Sequence, residues 1–387
     1  MSLTLQFRPM TLAAVAAAAL ALSACGGGNS ADGGTTGGAT TGGTTGGATG
    51  NLYISFDGGG DVGSTDTYAA NLGSRVGGFN TGLNEGIVDN GGTLNAVGVI
   101  GGQATLRRFP DFAARAGGSF NLAQDDSYQY PAIRAPRGVA VAGLTNGQLI
   151  VADAPAATTG EDLTSVPSLH LLTTVVNLAP PTLLATISVS TASGRTWDVA
   201  YDAFVDRLFA AMTNGSIAVY DNFVSRATLA GIGSGPAVTP SRLITPGAIT
   251  GGVSAKTSVN LHGISYNRAT NQLVVSDVGD AASDSDGAIY VIDAASTASN
   301  AAAGGGAAIV SPSREIRGAN TLLGNPVDVL LRSDGSLYVA EKLNGGGQIL
   351  VFNGILDGSS GDIAPNLHVT TDSLGSVGDP ESIAAPN

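Results

Sequence analysis

The sequence predicts an all-β fold, a six-bladed β-propeller with four antiparallel strands in each blade. Three observations carry this prediction. Short apolar strands recur in groups of four along residues 51–387. Polar turns with N-G, D-G or S-D-G, the kind that joins hairpin strands, lie inside the groups. The stretches between the groups show no amphipathic helical pattern of useful length.

The repeat is clearest in two distant segments that align without a gap through most of their length. VDNGGTLNAVGVIGGQATLRRFPDF at 88–112 matches RSDGSLYVAEKLNGGGQILVFNGIL at 332–356. Further copies begin at positions 144, 203 and 268. Each copy contains a polar turn, a short apolar strand, a second turn or loop and another strand, which predicts the middle of a four-stranded unit.

Another short strand precedes each copy, and one small or acidic residue marks its position. These marker residues are Gly86, Gly138, Asp198, Gly263, Asp328 and Ser382. They are separated by intervals of 52 to 65 residues. Four-stranded units of this length in series are typical of propeller blades.

The sixth unit has only its first strand, ESIAA, before the sequence ends. At the other end of the domain, NLYISFDGG (51–59) resembles the second strand of a unit, and DTYAANL (66–72) and SRVGGFN (74–80) follow it. We therefore expect the C-terminal strand to join the N-terminal blade. This arrangement closes the ring and removes an open sheet edge.

The repeat follows the pattern P-x-G-[VI]-x-V … G-x-[LI]-[YI]-V-A-[DE] … I-x-V-[FY]. It resembles the NHL-repeat class of six-bladed propellers and, more loosely, the gluconolactonase-like class. The resemblance covers residues 51–387 and implies the fold far more than a function.

Residues 1–25 are typical of a secretory signal peptide, because Arg8 precedes an apolar run too short to span a bilayer comfortably. The run ends in LSAC, which resembles the lipobox of bacterial lipoproteins. The resemblance implies cleavage before Cys25 and attachment of lipid to it. An ordinary secretory signal with a chance cysteine is the alternative. Cys25 is the only cysteine, so the chain has no intrachain disulfide.

Residues 26–50 contain mostly Gly and Thr, without a large apolar residue, and predict a flexible tether. We expect a protein of the cell envelope, lipid-anchored to the outer membrane or cell surface and facing an extracytoplasmic compartment. The net charge of −13 argues against nucleic acid as a partner.

The central mouth of the propeller is the candidate ligand site. In the class that the sequence resembles, the residue just before each innermost strand points to this mouth. The candidates are Glu85, Arg137, Trp197, His262 and Glu381, with Asp198 and Asp328 beside them. A solvated rim whose charges have no ligand is the alternative interpretation.

The sequence has two candidate places for a metal site. The lyase-type relatives of this fold use several histidines, but His170 and His368 fall in predicted outer strands and do not meet His262. The lactonase-type relatives hold calcium with Glu, Asn and Asp, which Glu85, Asp198, Asp328 and Glu381 approximate, although Arg137 would repel a cation.

The loop SDVGDAASDSDG (276–287) carries four aspartates, Asp277, Asp280, Asp284 and Asp286. Alternating Asp followed by Gly is typical of calcium loops, but the distal Glu and the full spacing are missing. A solvated acidic loop is the alternative. Calcium is the one cofactor that the sequence suggests.

Three functions remain open from the sequence. The leading hypothesis is a lipid-anchored binding or scaffold module, with an unknown protein or small molecule as its ligand. The second is a calcium-dependent, lactonase-like hydrolase that acts at the mouth. The third is a structural part of an envelope complex. No catalytic residues are assigned, and a role without catalysis is favoured.

Overall fold

The computed structural model describes residues 51–57, 63–73, 75–115, 117–142, 147–155, 166–173, 180–189, 194–232, 238–247, 258–298, 308–310, 312–356, 358–371 and 378–386. All of them belong to one compact unit, Gly47–Asn387. The predicted signal peptide, Cys25 and the tether lie outside the described residues. Within the described part, none of the helices has the length and apolar character needed to cross a bilayer.

The strands form six sheets, and each sheet is one blade of a propeller. Blade 1 begins with β1 (Asn51–Asp57), β2 (Gly63–Ala69) and β3 (Arg75–Asn80). Blade 2 contains β4 (Ile87–Asn90), β5 (Thr93–Ile100), β6 (Gln103–Phe109) and β8 (Asp126–Gln129), and β7 (Gly117–Ser119), which lies between β6 and β8 in the chain, returns to blade 1. Blade 3 contains β9 (Pro136–Ala142), β10 (Gln148–Asp153), β11 (Ser168–Leu172) and β12 (Leu183–Ser188).

The other three blades follow the same plan. Blade 4 contains β13 (Thr196–Asp202), β14 (Arg207–Met212), β15 (Ile217–Asp221), helix α1 (Phe223–Ala230) and β16 (Arg242–Pro246). Blade 5 contains β17 (Leu261–Asn267), β18 (Gln272–Asp277), β19 (Ala288–Ile292) and β21 (Arg314–Ile316), and β20 (Ala308–Val310), which lies between β19 and β21 in the chain, joins blade 4. Blade 6 contains β22 (Pro326–Leu331), β23 (Leu337–Glu341), β24 (Gln348–Phe352) and β25 (Leu367–Thr370). Short 3₁₀ helices span Phe112–Ala114, Ala319–Thr321 and Asn344–Gly346.

The C-terminal strand closes the ring, as the sequence predicted. Strand β26 (Asp379–Ala384) pairs antiparallel with β1, with Ile54 opposite Ile383 and Asp57 opposite Asp379. It is the innermost strand of blade 1. The prediction of six blades with four antiparallel strands in each, closed in this way, is therefore confirmed.

Three elements were not predicted. Strands β7 and β20 add to the outer edges of blades 1 and 4 in parallel orientation. Each has only three residues, too few for an apolar period to be visible. Helix α1 has eight residues and buries Phe223, Ala227 and Ala230, spaced at i, i+4 and i+7. The expectation of no useful helix between strands was wrong at this one place, because two turns give a weak periodic signal.

Neighbouring blades pack their apolar faces together, which explains the short apolar strands. Between blades 3 and 4, for example, Ile150 and Leu169 share a buried cluster with Leu208 and Tyr220. Burying one such aliphatic side chain stabilises the fold by about 1.5–3 kcal/mol. The core is therefore a set of layers between blades.

The acidic residue that ends the second strand of several blades ties that strand to the segment entering the inner strand. Asp153 accepts a hydrogen bond from the Ala135 N–H at 2.7 Å. Asp277 accepts one from Asn260 at 2.9 Å, and the Glu341 carboxylate binds the N–H of the residue before β22. Buried backbone donors require partners, so the [DE] position of the repeat has a structural role.

Candidate functional site at the mouth of the central channel

Six inner strands, β4, β9, β13, β17, β22 and β26, surround the central channel, and the mouth is the end at which they begin. Their marker residues lie at one level, which we call the belt. Backbones approach closely there. A Cβ atom on Gly138 would lie 2.0 Å from the Asp198 Oδ1, and one on Gly263 would lie 2.4 Å from the Asp328 Cα. Only glycine fits at these two positions.

The two aspartates of the belt join neighbouring blades. Asp198 Oδ2 in blade 4 accepts a hydrogen bond from the Ile264 N–H of blade 5 at 3.0 Å. Asp328 Oδ2 in blade 6 accepts hydrogen bonds from Ser382 Oγ at 2.7 Å and from the Ile383 N–H at 2.8 Å, both in the closing strand β26. These carboxylates therefore hold the ring together.

Both belt carboxyl groups hold protons more tightly than ordinary aspartates. Burial raises the pKa of Asp198 well above 3.8, and the charge of Asp328 raises it further. Burial also raises the pKa of Asp328 to about 6, although the hydrogen bonds from Ile383 and Ser382 oppose the rise. The pair is therefore partly protonated in weakly acidic solution.

Two ion pairs lie on the mouth side of the belt. Arg137 Nη1 lies 2.5 Å from Glu85 Oε1, and this pair connects blades 2 and 3. The Lys342 ammonium contacts the Glu381 carboxylate and lies 3.5 Å from Asp57 Oδ2, and these contacts connect blades 6 and 1. Both pairs are largely shielded from solvent, which strengthens their attraction.

An aromatic stack completes the mouth. The rings of Trp197 and His262 lie 3.7 Å apart with an interplanar angle of 11°. The Arg137 Cζ lies 4.6 Å from the Trp197 ring centroid, and that of Arg195 lies at 5.6 Å, within the range of cation–π attraction. His262 is only 5% exposed, and neither of its ring nitrogens has a hydrogen-bond partner among the described residues.

Burial and nearby charges shift the pKa values of two titratable groups at the mouth, His262 and Glu381. Burial lowers the pKa of His262 well below 6.5, and the nearby charges of Arg137, Arg195 and Lys342 lower it further. The imidazole is therefore neutral at neutral pH, with one donor and one acceptor nitrogen. Burial raises the pKa of Glu381 to about 7; Lys342 opposes this rise and Glu85 adds to it.

The belt separates two spaces. On the mouth side is a chamber of about 20 Å³, lined by Glu85, Arg137, Trp197 and Glu381, which has room for about one water molecule. On the other side the channel widens to about 310 Å³ between the inner strands. Both spaces are lined in part by Asp198 and Asp328. A larger ligand fits the mouth only over its outer rim or by moving side chains.

The structure brings the predicted mouth residues together. Six of them line the chamber, namely Glu85, Arg137, Trp197, Asp198, Asp328 and Glu381. His262 joins them by stacking on Trp197. Two further residues at the mouth, Lys342 and Arg195, were not predicted. Lys342 directly follows β23, whose last residue, Glu341, pairs with the first residue of the inner strand β22. The register between the first and second strands of a blade was therefore the signal that could have placed Lys342 at the mouth.

The other two histidines lie away from the mouth. His170 lies in β11, where its ring nitrogens are 3.2 Å from Asp153 Oδ2 and 3.1 Å from Thr186 Oγ1. His368 is exposed in β25, the outermost strand of blade 6. Neither position allows a shared site with His262.

Several oxygen atoms of the acidic loop accept hydrogen bonds from within the protein. Asp277 Oδ1 accepts hydrogen bonds from the N–H groups of Asn260 and Gly279, and Asp286 Oδ2 accepts one from Asp280. The Asp284 carbonyl accepts one from Asn344. Over the whole described part of the chain, no three His, Cys, Asp or Glu side chains cluster in a way that could hold a metal ion.

Comparison with known proteins identifies the fold. No protein-family model matches the sequence, and a search of curated proteins finds no match. The structure is similar to that of the periplasmic gluconolactonase of Pseudomonas aeruginosa, with a TM-score of 0.54 at 15% identity, over 87% of this chain and 99% of that chain. The chain shares the β-propeller fold of that structure.

A second similar structure is a proposed 6-phosphogluconolactonase from Bacteroides uniformis. Its TM-score is 0.49 at 12% identity, over 87% of this chain and 98% of that chain. Likeness at such identities concerns the fold and not the site. The predicted six-bladed propeller is confirmed, with a gluconolactonase among the proteins of similar structure, whereas the NHL repeat, the lipid anchor and calcium stay predictions.

Proposed function

We propose that the protein is a lipid-anchored propeller of the cell envelope that binds a small, hydroxyl-rich ligand at its mouth. The observation that carries this proposal is the stack of Trp197 on His262, with both imidazole nitrogens unpaired among the described residues. A buried polar group without a partner costs about 1–3 kcal/mol, so a ligand that pairs with it gains affinity.

The surroundings of the stack suit a ligand with a flat face and several hydroxyl groups. The partly exposed indole of Trp197 offers aromatic surface beside the stack, and the pairs Glu85–Arg137 and Glu381–Lys342 offer both acceptors and donors around it. Sites of this kind combine a few polar groups with aromatic surface. The mixture of charges favours a polar, neutral molecule over a strongly charged one.

Fluorescence of the single tryptophan tests this proposal directly. Sugars, sugar acids and lactones are titrated into the protein, and we expect a ligand to shift the emission of Trp197. His262→Gln should weaken binding, because the amide cannot reproduce the stacked ring. His368→Gln, the same change at an exposed outer strand, should leave binding unaltered.

The competing explanation is that Trp197 only packs between blades. In that case no compound perturbs its emission, and Trp197→Ala lowers the free energy of unfolding by roughly 3–5 kcal/mol. A binding site predicts the opposite combination, with lost binding and a ring that still folds cooperatively.

A second candidate function, hydrolysis of a lactone, is favoured by one observation. The pKa of Glu381 is raised to about 7 by burial, and its carboxylate contacts Lys342. A carboxyl group that titrates near neutral pH is suited to general acid–base catalysis. As a base, Glu381 would take a proton from water as it attacks the lactone carbonyl, and it would then return the proton to the departing ring oxygen. Lys342 would stabilise the negative oxygen.

An assay that measures the acid released when sugar lactones are hydrolysed tests this second function. Glu381→Gln should abolish turnover, and Glu315→Gln, a change away from the mouth, should not. Chelation with and without added calcium separates a calcium-dependent reaction from one that uses only the side chains of the mouth. Binding without turnover in the unaltered protein would leave the first proposal standing and reject the second.

A further inference from the structure

The wider space behind the belt is a second cavity with a lining of its own. It has a volume of about 310 Å³ and is lined by residues of all six inner strands. Tyr201, Tyr266 and Ala385 in this lining lie beside the last residues of β13, β17 and β26. The space therefore runs from the belt to the end of the ring opposite the mouth, and we call it the channel cavity. Its volume lies at the lower end of the range for small-molecule sites.

The walls of the channel cavity combine apolar side chains with backbone. Val88, Val141 and Leu330 line it, and they are only partly buried although they lie inside the ring. Each inner strand is the end strand of its sheet, so one of its edges is free of sheet pairing and faces the channel. Solvent in this space touches apolar surface, and an aliphatic group that replaces it there is favoured by the hydrophobic effect.

Two carboxylates border the channel cavity at the belt without a cationic side chain in the same lining. They belong to Asp198 and Asp328, and none of the described residues that line the cavity is a lysine, arginine or histidine. On the other side of the belt, Arg137 is engaged with Glu85. The channel cavity therefore has a negative end and no positive charge of its own to balance it.

The bridges between blades leave these carboxylates able to accept further hydrogen bonds. The donors are the N–H groups of Ile264 and Ile383 and the Ser382 hydroxyl, all of them uncharged. An ionised carboxylate has about four acceptor positions, so some remain beside these bonds. A buried carboxylate is costly unless an opposite charge pairs with it, which agrees with the raised pKa values of Asp198 and Asp328.

We infer that the channel cavity binds a small aliphatic amine in its ammonium form. The ammonium group donates hydrogen bonds to Asp198 and Asp328, and the aliphatic chain lies along Val88, Val141 and Leu330. Such a ligand supplies both the positive charge that the lining lacks and the apolar surface that its walls can cover. The net charge of −13 favours the approach of a cation. This site is separate from the one proposed at the mouth, and the inference does not rest on that proposal.

Titration calorimetry of the full chain with n-alkylammonium chlorides tests the inference. Butyl-, pentyl- and hexylammonium are compared with hexanol, which keeps the chain and lacks the charge. We expect one site per chain and an affinity that rises up to about fourfold with each added CH₂, because burying a CH₂ contributes about 0.8 kcal/mol. Hexanol should bind at least tenfold more weakly. Equal binding of hexanol, or an affinity that does not change with chain length, overturns the inference.

Substitutions locate the site. Val141→Phe fills the channel cavity without changing a carboxylate and should abolish the binding of hexylammonium. Val76→Phe is the matched control, because Val76 is 50% exposed in β3 and lies outside the lining, and it should bind as the unaltered protein does. Asp198→Asn should weaken binding at least tenfold, whereas Asp334→Asn, which removes the same charge from an exposed turn, should not.

Melting curves show which variants fold, and Asp198→Asn decides the matter if Val141→Phe does not. Hexylammonium binding that survives in a folded Val141→Phe or Asp198→Asn variant lies elsewhere and overturns the inference.

An inorganic cation is the competing occupant. Calcium chloride and sodium chloride are therefore titrated in place of the amine, and each is then tested as a competitor of hexylammonium. Hexylammonium that stays bound at equal concentrations of either salt supports the amine. Calcium or sodium that displaces it at equal concentration, or that binds through Asp198 when hexylammonium does not bind, assigns the carboxylates to a metal ion and overturns the inference.

Discussion

Replacing Asp328 by asparagine tests whether the closure of the ring depends on pH. The Asp328 carboxylate binds Ser382 and Ile383 in the closing strand, so it joins blade 6 to blade 1. Burial raises its pKa from 3.8 to about 6 in the folded protein. The folded state therefore binds a proton that the unfolded chain has already released over this interval.

The sign and size of the effect follow from this difference. Where the folded state binds more protons than the unfolded state, the free energy of unfolding falls as the pH rises. A shift of about two pKa units corresponds to about 3 kcal/mol, lost as the pH rises from about 4 to about 6. Above the folded pKa, Asp328 makes no further change with pH.

We expect Asp328→Asn to remove the part of the slope that Asp328 contributes, because the amide does not ionise. Glu381, whose pKa burial also raises, to about 7, keeps its own contribution of the same sign. The pKa of Asp198 should also fall, since the neighbouring charge that raises it is gone. The amide nitrogen takes the place of one acceptor oxygen near the N–H of Val329 or Ile383. The loss of a hydrogen bond costs about 1–3 kcal/mol at every pH, so the slope and not the absolute stability is the test.

Denaturant unfolding across the weakly acidic range measures the slope, and Asp221→Asn is the control. Burial raises the pKa of Asp221, but the hydrogen bond from Arg207 and the charges of Arg242 and Arg207 outweigh it, so the pKa is lowered. That group stabilises the fold above its unfolded pKa and loses its effect only in stronger acid. If Asp328→Asn keeps the slope of the unaltered protein, the assigned role of the carboxyl is wrong.

Three further predictions concern the two ends of the domain. Mass spectrometry of the membrane fraction should find a lipidated N-terminal Cys25, and Cys25→Ser should release the protein from the membrane; an uncleaved chain would contradict this. Deleting residues 379–387 should abolish cooperative unfolding and cause aggregation, because β1 and β22 lose the strand between them; a truncated domain that melts like the full one refutes ring closure. Ile383→Ala should cost about 2–5 kcal/mol in denaturant unfolding, since Ile383 is buried between these strands, and a cost near zero would contradict its place in the core.

The blades could be predicted from the sequence because each repeats the same physical requirement. A strand with apolar residues on both faces must be covered by neighbouring blades, and the turns between strands need glycine or asparagine. These signals recur about six times along the sequence, so the clear repeats help to locate the blades whose own repeat is degenerate. Strands β7 and β20 repeat nowhere else and have three residues each, so no recurrence helped to find them.

The candidate site was predictable in part for a similar reason. The repeat fixes the position before each marker residue, and the resemblance to known propellers implies that this position faces the mouth. Together they assigned Glu85, Arg137, Trp197, His262 and Glu381 to the mouth. Lys342 could not, because it belongs to a loop after a second strand and reaches the mouth through the length of its side chain. The pKa of Glu381 depends on burial that no spacing reveals.

The belt shows that two aspartates of the candidate calcium set have a structural role, because they join neighbouring blades. Asp198 fits against Gly138 of the preceding blade and binds Ile264 of the following one. Asp328 repeats this arrangement, with Gly263 before it and Ile383 after it. A glycine followed one blade later by an aspartate is therefore a sequence signal for a bridge between blades, because only glycine leaves room for the carboxylate to cross. Since the two belt aspartates are used in this way, recognition of a ligand at the mouth falls to the residues one step outward, where His262 has hydrogen-bonding capacity to offer.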